Sequence, residues 1–442
     1  MDHERSRTGA IWRSPPAKRG EFLHARLVEV GGKGVRVRRL GGNRAGEMQI
    51  TRFLRNPAVS VEEIVSYAQQ RTRARVFGRH VLAIQDTTDV RVHSDRSGVV
   101  LHPTIAVDAE EGTLFGLVHA ELLEREGGHP VGRHKELLFA NKQSQRWLHG
   151  IEQAATLRAS GAATVTVITD REGDIYEDFA FRPPNVDLVI RAGQDRCLSD
   201  GSHLFEQSHR LPQLGEMFVD LPAAPGRVAR KARLALRFTP LEIARPKRHV
   251  RNAEFAALPR TIALNLVDAC EIAAPAGVTP AHWRLFTTHP VASVEDAQRI
   301  VQYYRQRWTI EQVFRTLKTK GFDVEALRIA EGPFEKLIAA ALVAAITVFQ
   351  LVRERDGIAK RPFTDVLDPA DCPALQAINA KLEGKTARQK NPHPEGSLAY
   401  VAWVFARLGG WTGYYGKPGP VVILSGLLHF QALLQGWKLR DV

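Results

Sequence analysis

At 442 residues the chain is too long for one compact domain and long enough for two or three. Hydrophobic residues make up 44% and charged residues 25%, the balance of an ordinary globular protein. The net charge of +13 calls for a polyanionic partner, nucleic acid before a membrane surface, and three widely spaced cysteines exclude a disulfide framework or zinc site and suit a reducing cytoplasm.

Residues 1–50 carry 11 Lys or Arg against 5 Asp or Glu, with no apolar signal core at the start. Gly31-Gly32, Gly34 and Gly41-Gly42 break any helix there, and Val35, Val37 and Leu40 are too few for a core. The expectation is a basic, loosely structured arm, or plain disorder. Ser60 can cap and Glu63 complete a capping box for a helix reaching about Arg75.

Val81 to Gln85 reads as a buried strand ending at Asp86. Val99 to Val107 and Leu114 to Leu122 read as two further strands, antiparallel to it. A helix is expected over Leu137 to Ser160, a strand over Val165 to Thr169 ending at Asp170, a helix from Arg171 to about Ala180, and a strand from Val186 to Arg191. That order fits an α/β fold, a mixed sheet with helices on its faces.

Residues 192–290 turn to short alternating runs with recurrent Pro and Gly. Ala232, Leu234, Leu236 and Phe238 face one way, Arg233 and Arg237 the other. An all-β insertion with a basic face is expected. Tyr303 to Lys318, with no Gly or Pro, reads as one helix. At about 100° per residue, Tyr304, Arg307, Glu311, Arg315 and Lys318 share a stripe roughly 80° wide. The ordinary reading of such a stripe is a solvated face held by salt bridges between turns. Leu337 to Leu351, within a helix expected from Phe334 to Arg353, is too short to span a membrane and reads as buried core. A basic loop over 383–397 precedes helical pieces at Leu398 to Leu408 and Leu424 to Trp437.

Two strands that end on aspartates and a later helix that presents a glutamate suit two-metal phosphoryl transfer. Carboxylates are hard ligands fit for Mg²⁺ or Mn²⁺, and two ions about 4 Å apart activate the attacking oxygen and stabilise the leaving one. Singly, each aspartate has a structural alternative: Asp86 opening an Asx turn, Asp170 capping the next helix. No Walker-type loop, Gly-x-Ser-x-Gly elbow or HExxH competes.

Tyr304, two residues, Arg307, three residues, Glu311, six residues, Lys318 resembles the Tyr-Arg-Glu-Lys motif of bacterial insertion-sequence transposases of the DDE type. AIQDTTDV around Asp86 and VITDREGDIYE around Asp170 resemble the two aspartate segments of that family. RFLRNPAVSVEEI resembles the segment that joins its DNA-binding domain to the core, and SLAYVAWVFARLGGW its C-terminal region. The likeness covers about residues 43–437. It implies a ribonuclease H-like core with Asp86, Asp170 and Glu311 as catalytic residues holding two Mg²⁺ ions, Mn²⁺ substituting. It implies a nick at the transposon end, a hairpin formed by the freed 3′-hydroxyl, its reopening, and strand transfer to target DNA. By the same resemblance Tyr304, Arg307 and Lys318 contact DNA, Arg315 joins them from the same stripe, Trp283 in HWRLFTTHPV stacks on a flipped base, and Arg191 in LVIRAGQDR meets DNA. Trp283 as a plain core aromatic is the alternative.

The region before Gly42 is shorter and richer in glycine than the family's helical end-recognition domain, and Gln143 stands in Lys142-Gln143-Ser144 where the family has Glu. The chain ends soon after its last helix, whereas some relatives continue into a dimerisation helix. The expected layout is an N-terminal DNA-binding region over 1–75, core over 76–191, β-rich insertion over 192–290, the second part of the core with the glutamate helix over 291–353, and a C-terminal helical region over 354–442. Double-stranded DNA is the expected partner, in a homodimer bridging two inverted-repeat ends, with no membrane, in the bacterial cytoplasm. Two rivals stay open: a purely hydrolytic DNA nuclease of the same fold, and a decayed DNA-binding regulator of transposition.

Overall fold

A computed structural model describes residues 37–91, 98–124, 144–222, 228–247, 257–318, 322–326, 334–414 and 416–439, with positions 19, 20, 23, 26, 27, 35 and 255. Helices α1 (Val37–Gly41), α2 (Arg44–Leu54) and α3 (Val61–Arg73) precede the sheet. Asn43 caps α2 by accepting from the Gly46 N–H at 2.9 Å, and Ser60 caps α3 by accepting from the Glu63 N–H at 3.1 Å. The expected coreless arm is corrected here: Leu23, Leu27, Val35 and Leu40 are fully or almost fully buried with Ile50, Phe53 and Leu54. Gly41-Gly42 does end a helix, but α2 folds back on it. A Cβ on Gly46 would lie 2.1 Å from the Gly41 carbonyl oxygen, so only glycine allows that approach.

Strands β1 (His80–Gln85), β2 (Thr88–Arg91), β3 (Gly98–Asp108) and β4 (Leu114–Glu124) are followed by α4 (Gln145–Ala159), β5 (Thr164–Thr169), a 3₁₀ turn (Arg171–Gly173), α5 (Tyr176–Phe181) and β6 (Asp187–Arg191). β3 pairs antiparallel with β1, β2 and β4, so β4, expected antiparallel to β1, instead lies on β3 and runs in the direction of β1, while β5 runs parallel to β1 and β6 parallel to β5. The start of the helix expected from Leu137, and Lys142-Gln143, lie outside the described residues. The helix expected from Arg171 is instead interrupted. The Asp174 carboxylate is held by the Gly193 and Gln194 N–H groups and by Arg196 at 2.7–3.1 Å, which ties the chain down between the two turns.

The insertion holds α6 (Leu204–Arg210), β7 (Gly215–Leu221), β8 (Arg230–Ala244), β9 (Thr261–Ile272) and β10 (His282–Thr287). It is not purely β, and its strands continue the same sheet: β10 pairs with β6, then β9, β8 and β7 follow, all antiparallel. The expected basic face is neutralised. Arg233 pairs with Glu216 at 2.6 Å, Arg237 with Asp268 at 3.4 Å and Arg230 with Glu271 at 2.8 Å, because β7 and β9 bring acids within reach of the arginines, Asp268 directly opposite Arg237.

The strand period of two divides the apolar residues between two cores. Leu82, Ile84, Ile168, Val189 and Leu285 enter one, Val81, Ala83, Val165, Val167, Leu188, Ile190 and Phe286 the other. Each Val, Leu, Ile or Phe among them contributes roughly 1.5–3 kcal/mol. Helices α4 and α5 cover the second face with Ile151, Ala154, Leu157 and Phe179. The first is covered by α7 (Val294–Arg305), α8 (Trp308–Lys318) and α9 (Phe334–Glu354), joined by α10 (Cys372–Leu382), α11 (Leu398–Leu408) and α12 (Pro420–Leu439). α9 is buried without a break from Leu337 to Val352, packed on β4, α3, α8, α11 and α12, which explains an all-round apolar sequence. By length and hydropathy α9 and α12 would each suffice to cross a membrane, yet 83% of the apolar window of α9 is buried inside the molecule, against 33% for α12.

Candidate active site

The site begins at a break in a strand. β1 and β2 share one register against β3, with Gln85 opposite Thr104 and Thr88 opposite Leu101, so Asp86 falls opposite Pro103 and Thr87 opposite His102. The Asp86 N–H donates to the Pro103 carbonyl at 3.4 Å, but proline has no N–H to return the bond. The ladder opens there, and the Asp86 carboxylate accepts from the Thr87 N–H at 2.8 Å. Asp170 follows β5 at the same height, since Ile84 of β1 lies beside Ile168 of β5. Adjacent strands are about 4.8 Å apart, so the two aspartates stand side by side at the C-terminal edge of the parallel pair. Asp170 makes no side-chain cap to the turn that follows.

The stretch 303–318 is not one helix. α7 ends at Arg305 and α8 begins at Trp308. Between them the backbone tightens to i→i−3 bonds, Arg307 N–H to Tyr304 O at 3.0 Å and Ile310 N–H to Arg307 O at 3.1 Å. Arg353 of α9 holds this junction through the Gln306 side chain at 2.7 Å and the Thr309 hydroxyl at 3.3 Å. The result aims Arg307 inward, with only 13% of its side chain exposed, which excludes the solvated-stripe reading for this residue.

Arg307 gathers the acids. Its guanidinium lies 2.9 Å from Asp86, 2.5 Å from Glu311 and 3.6 Å from Asp170. The Tyr304 hydroxyl donates to Asp170 at 3.0 Å, and Arg191 pairs with Asp170 at 3.5 Å while donating to the His282 carbonyl at 3.1 Å. Burial pushes the Asp86 carboxyl up to about 6, against the pull of Arg307. Burial acts the same way on Asp170, but Arg307, Arg191 and the Tyr304 hydroxyl together hold its carboxyl below the ordinary range. Burial, then Asp170, pushes the Tyr304 phenol up to about 12, so it stays a donor.

Beside this cluster lies a cavity of about 380 Å³ lined by Arg191, Trp283, Tyr304, Arg305, Arg307 and Trp308 among others. The half-buried Trp283 packs at its edge, its ring 5.7 Å from that of Tyr304. Lys318 and Arg315 lie farther along α8. Lys318 donates to the Asp89 carbonyl and pairs with Glu325 at 3.7 Å, fastening α8 to β2; Arg315 is exposed, its guanidinium over the Trp308 ring at 5.2 Å.

The three acids offer only carboxylate oxygens, the donor set a hard divalent ion requires. As the side chains lie they are turned onto Arg307, and among the described residues no three His, Cys, Asp or Glu side chains stand ready to share an ion. Asp86, Asp170 and Glu311 fit such an ion by donor chemistry, in competition with the guanidinium for the same oxygens.

Sequence reasoning missed the surroundings of Thr87. Its hydroxyl lies 2.9 Å from Nδ1 of His102, and Nε2 of His102 lies 3.1 Å from Gln85 Oε1. The signal was present as His102-Pro103, a polar residue and a ladder breaker inside an apolar strand. The sequence matches the family model of the transposase DDE domain over residues 77–348, from just before β1 into α9. Transposases of this family generally use divalent metal ions, consistent with two aspartates at the sheet edge and Glu311 of α8 beside them. With well over half of its length matched, and a mixed sheet that sets the acids together, the chain belongs to the transposase DDE domain family.

Proposed function

We propose that the protein is a DNA transposase of the Tyr-Arg-Glu-Lys group, an endonuclease and strand transferase that excises an insertion sequence through hairpin ends. The observation that carries this is the gathering of Asp86, Asp170 and Glu311 on Arg307, with Tyr304 and Arg191, beside a cavity walled by Trp283 and Trp308. In this reading water cleaves one strand and leaves a 3′-hydroxyl on the transposon end. That hydroxyl displaces the flanking strand by attack on the opposite strand, closing a hairpin. Water reopens the hairpin, and the same hydroxyl then joins target DNA. Two Mg²⁺ ions, or Mn²⁺ in their place, held by Asp86, Asp170 and Glu311 would supply activation of the attacking oxygen and stabilisation of the leaving one.

The chain's own residues do the positioning. Arg307 and Arg191 present charge to a phosphate at the edge of the acids, and Tyr304 holds Asp170 as an acceptor. Trp283 offers a face for an extruded base, a contact worth about 1–3 kcal/mol. A grip on an extruded base serves a hairpin and is idle in plain hydrolysis, which favours the transposase over a nuclease. Lys318 and Arg315 serve DNA farther along α8. The N-terminal helices within 1–75 form the end-binding region, the core spans 76–191 and 291–353 around the insertion at 192–290, and 354–442 forms the C-terminal region. A homodimer pairs two ends in the bacterial cytoplasm.

The test is cleavage of labelled duplexes made from the DNA bordering its own gene, with Mg²⁺, on a denaturing gel. A hairpin at the element's end is expected, and Glu311→Ala should lower its formation by more than about 1,000-fold while duplex binding persists. Nicks with no hairpin would transfer the case to the hydrolytic nuclease; binding with no cleavage in Mg²⁺ or Mn²⁺ would leave only the regulator.

A further inference from the structure

We propose that His102 is a positioning residue for Asp86, acting through the Thr87 hydroxyl. The inference rests on the reading of Asp86 as a catalytic residue. His102 is fully buried on β3, cross-strand from Thr87, its ring edge-on to Trp147 with centroids 4.5 Å apart. A neutral imidazole has one N–H and one lone pair. The Gln85 amide nitrogen donates to the Trp147 carbonyl at 3.2 Å, so Gln85 Oε1 faces His102 as an acceptor, 3.1 Å from Nε2. Nε2 therefore carries the proton and Nδ1 accepts. The Thr87 hydroxyl, 2.9 Å away, donates to Nδ1 and keeps its oxygen lone pairs for Arg146 Nε at 3.4 Å.

The hydrogen bonds thus run in one direction from Thr87 through His102 and Gln85 to the backbone of α4. No link reverses without setting two acceptors against each other. Space is made for Gln85 by Gly150, where a Cβ would lie 2.0 Å from Oε1. The far end of the chain is the Thr87 peptide, whose N–H holds one Asp86 oxygen at 2.8 Å while Arg307 holds the other at 2.9 Å. Pro103 has removed ladder support at this point of the strand. The His102–Thr87 bond takes its place, and with it the orientation of the Asp86 carboxylate.

Two pairs of variants separate positioning from plain stability. His102→Asn places an acceptor where Nδ1 was and gives up Gln85; His102→Gln reaches Gln85 and gives up the acceptor for Thr87. Thr87→Ser keeps the hydroxyl and Thr87→Val removes it. In single-turnover cleavage of the bordering-DNA duplexes, His102→Gln and Thr87→Val should each be slower by about 10–100-fold, and His102→Asn and Thr87→Ser within about threefold of the parent. The double variant Thr87→Val/His102→Gln should be no slower than the slower single, since both break one link. Duplex affinity should be unchanged in all four. Equal cleavage by His102→Asn and His102→Gln, or rates that merely follow their melting temperatures, would overturn the proposal. Asp86→Ala tells the two readings apart: if it cleaves normally the site itself is misassigned, whereas an inactive Asp86→Ala beside an active His102→Gln defeats only the role of His102. Independently of cleavage, ¹⁵N NMR of the full chain should show His102 as the neutral Nε2–H tautomer, with its Nδ1 resonance moved by Thr87→Val and not by Thr87→Ser. An Nδ1–H tautomer would refute the proposal outright.

Discussion

Arg307 is one cation for three carboxylates. With Arg191 also on Asp170, the cluster keeps a formal charge of about one negative, low enough to be tolerated where side chains are mostly buried. Asp178 of α5 has only the weaker pull of Arg196, which is tied to Asp174. It is fully buried, neither of its oxygens has a hydrogen-bond partner among the described residues, and burial, then Glu177 and Asp174, holds its carboxyl well above the ordinary range. A raised carboxyl means that the folded chain keeps a proton the unfolded chain releases, so the unfolded state gains as pH rises from the usual aspartate range towards the folded value. Asp178→Asn removes that linkage. Its stability relative to the parent should grow by about 1.4 kcal/mol per pH unit through that window and then level off. Urea melts at a series of pH values check this; a constant difference would show that Asp178 is ionised in the fold.

Among the elements, the junction between α7 and α8 matters most to the site. A continuous helix would carry Arg307 on around a regular spiral, whereas the tightened turn places it between Asp86 and Glu311. The turn is held from outside: Arg353 donates to the Gln306 side chain, the Thr309 hydroxyl and, at 2.9 Å, the Gly112 carbonyl, joining α9, α8 and the loop after β3. Arg353→Met keeps much of the apolar stem and loses these bonds. A loss of about 2–4 kcal/mol in urea unfolding is expected, with slower cleavage, because bonds to a charged donor are worth about 1.5–3 kcal/mol each. A variant within about 0.5 kcal/mol of the parent would mean that the turn is set by its own sequence.

At the scale of the molecule, one sheet carries both the core and the insertion, so the wall that bears Trp283 is continuous with the edge that bears the acids. The excess of 13 positive charges is not evenly available for DNA, since Arg230, Arg233 and Arg237 are matched by acids on neighbouring strands. Duplex binding should weaken by about 10³-fold or more between 50 and 200 mM salt if six or more phosphates are contacted. Arg305→Gln, at the cavity, should reduce the slope of log affinity against log salt by about 1. Arg233→Gln, already paired with Glu216, should leave the slope unchanged; an equal drop in both would place the DNA across the insertion.

Much of this was legible in the residues. The strands of the core announced themselves as short apolar runs, and Val81–Gln85 is found as His80–Gln85, Val165–Thr169 as Thr164–Thr169 and Leu114–Leu122 as Leu114–Glu124. The acids that end two of them, and the Tyr-Arg-Glu-Lys spacing, pointed to the family because local order and spacing survive in one dimension. What the sequence by itself could not decide depends on partners far along the chain. Val35, Val37 and Leu40 looked too few for a core because their packing partners, Leu23 and Leu27 on one side and Ile50, Phe53 and Leu54 on the other, lie beyond glycine breaks. Arg233 and Arg237 looked like a basic face because the acids that neutralise them sit on other strands. Stretch 303–318 has the local propensity of one helix and is broken where Arg353 grips Gln306. His102 acquires its place only when β3 pairs with β1 and β2, for a hydrogen-bond chain is a fact of three dimensions: its donors and acceptors have to meet before any of them has a direction.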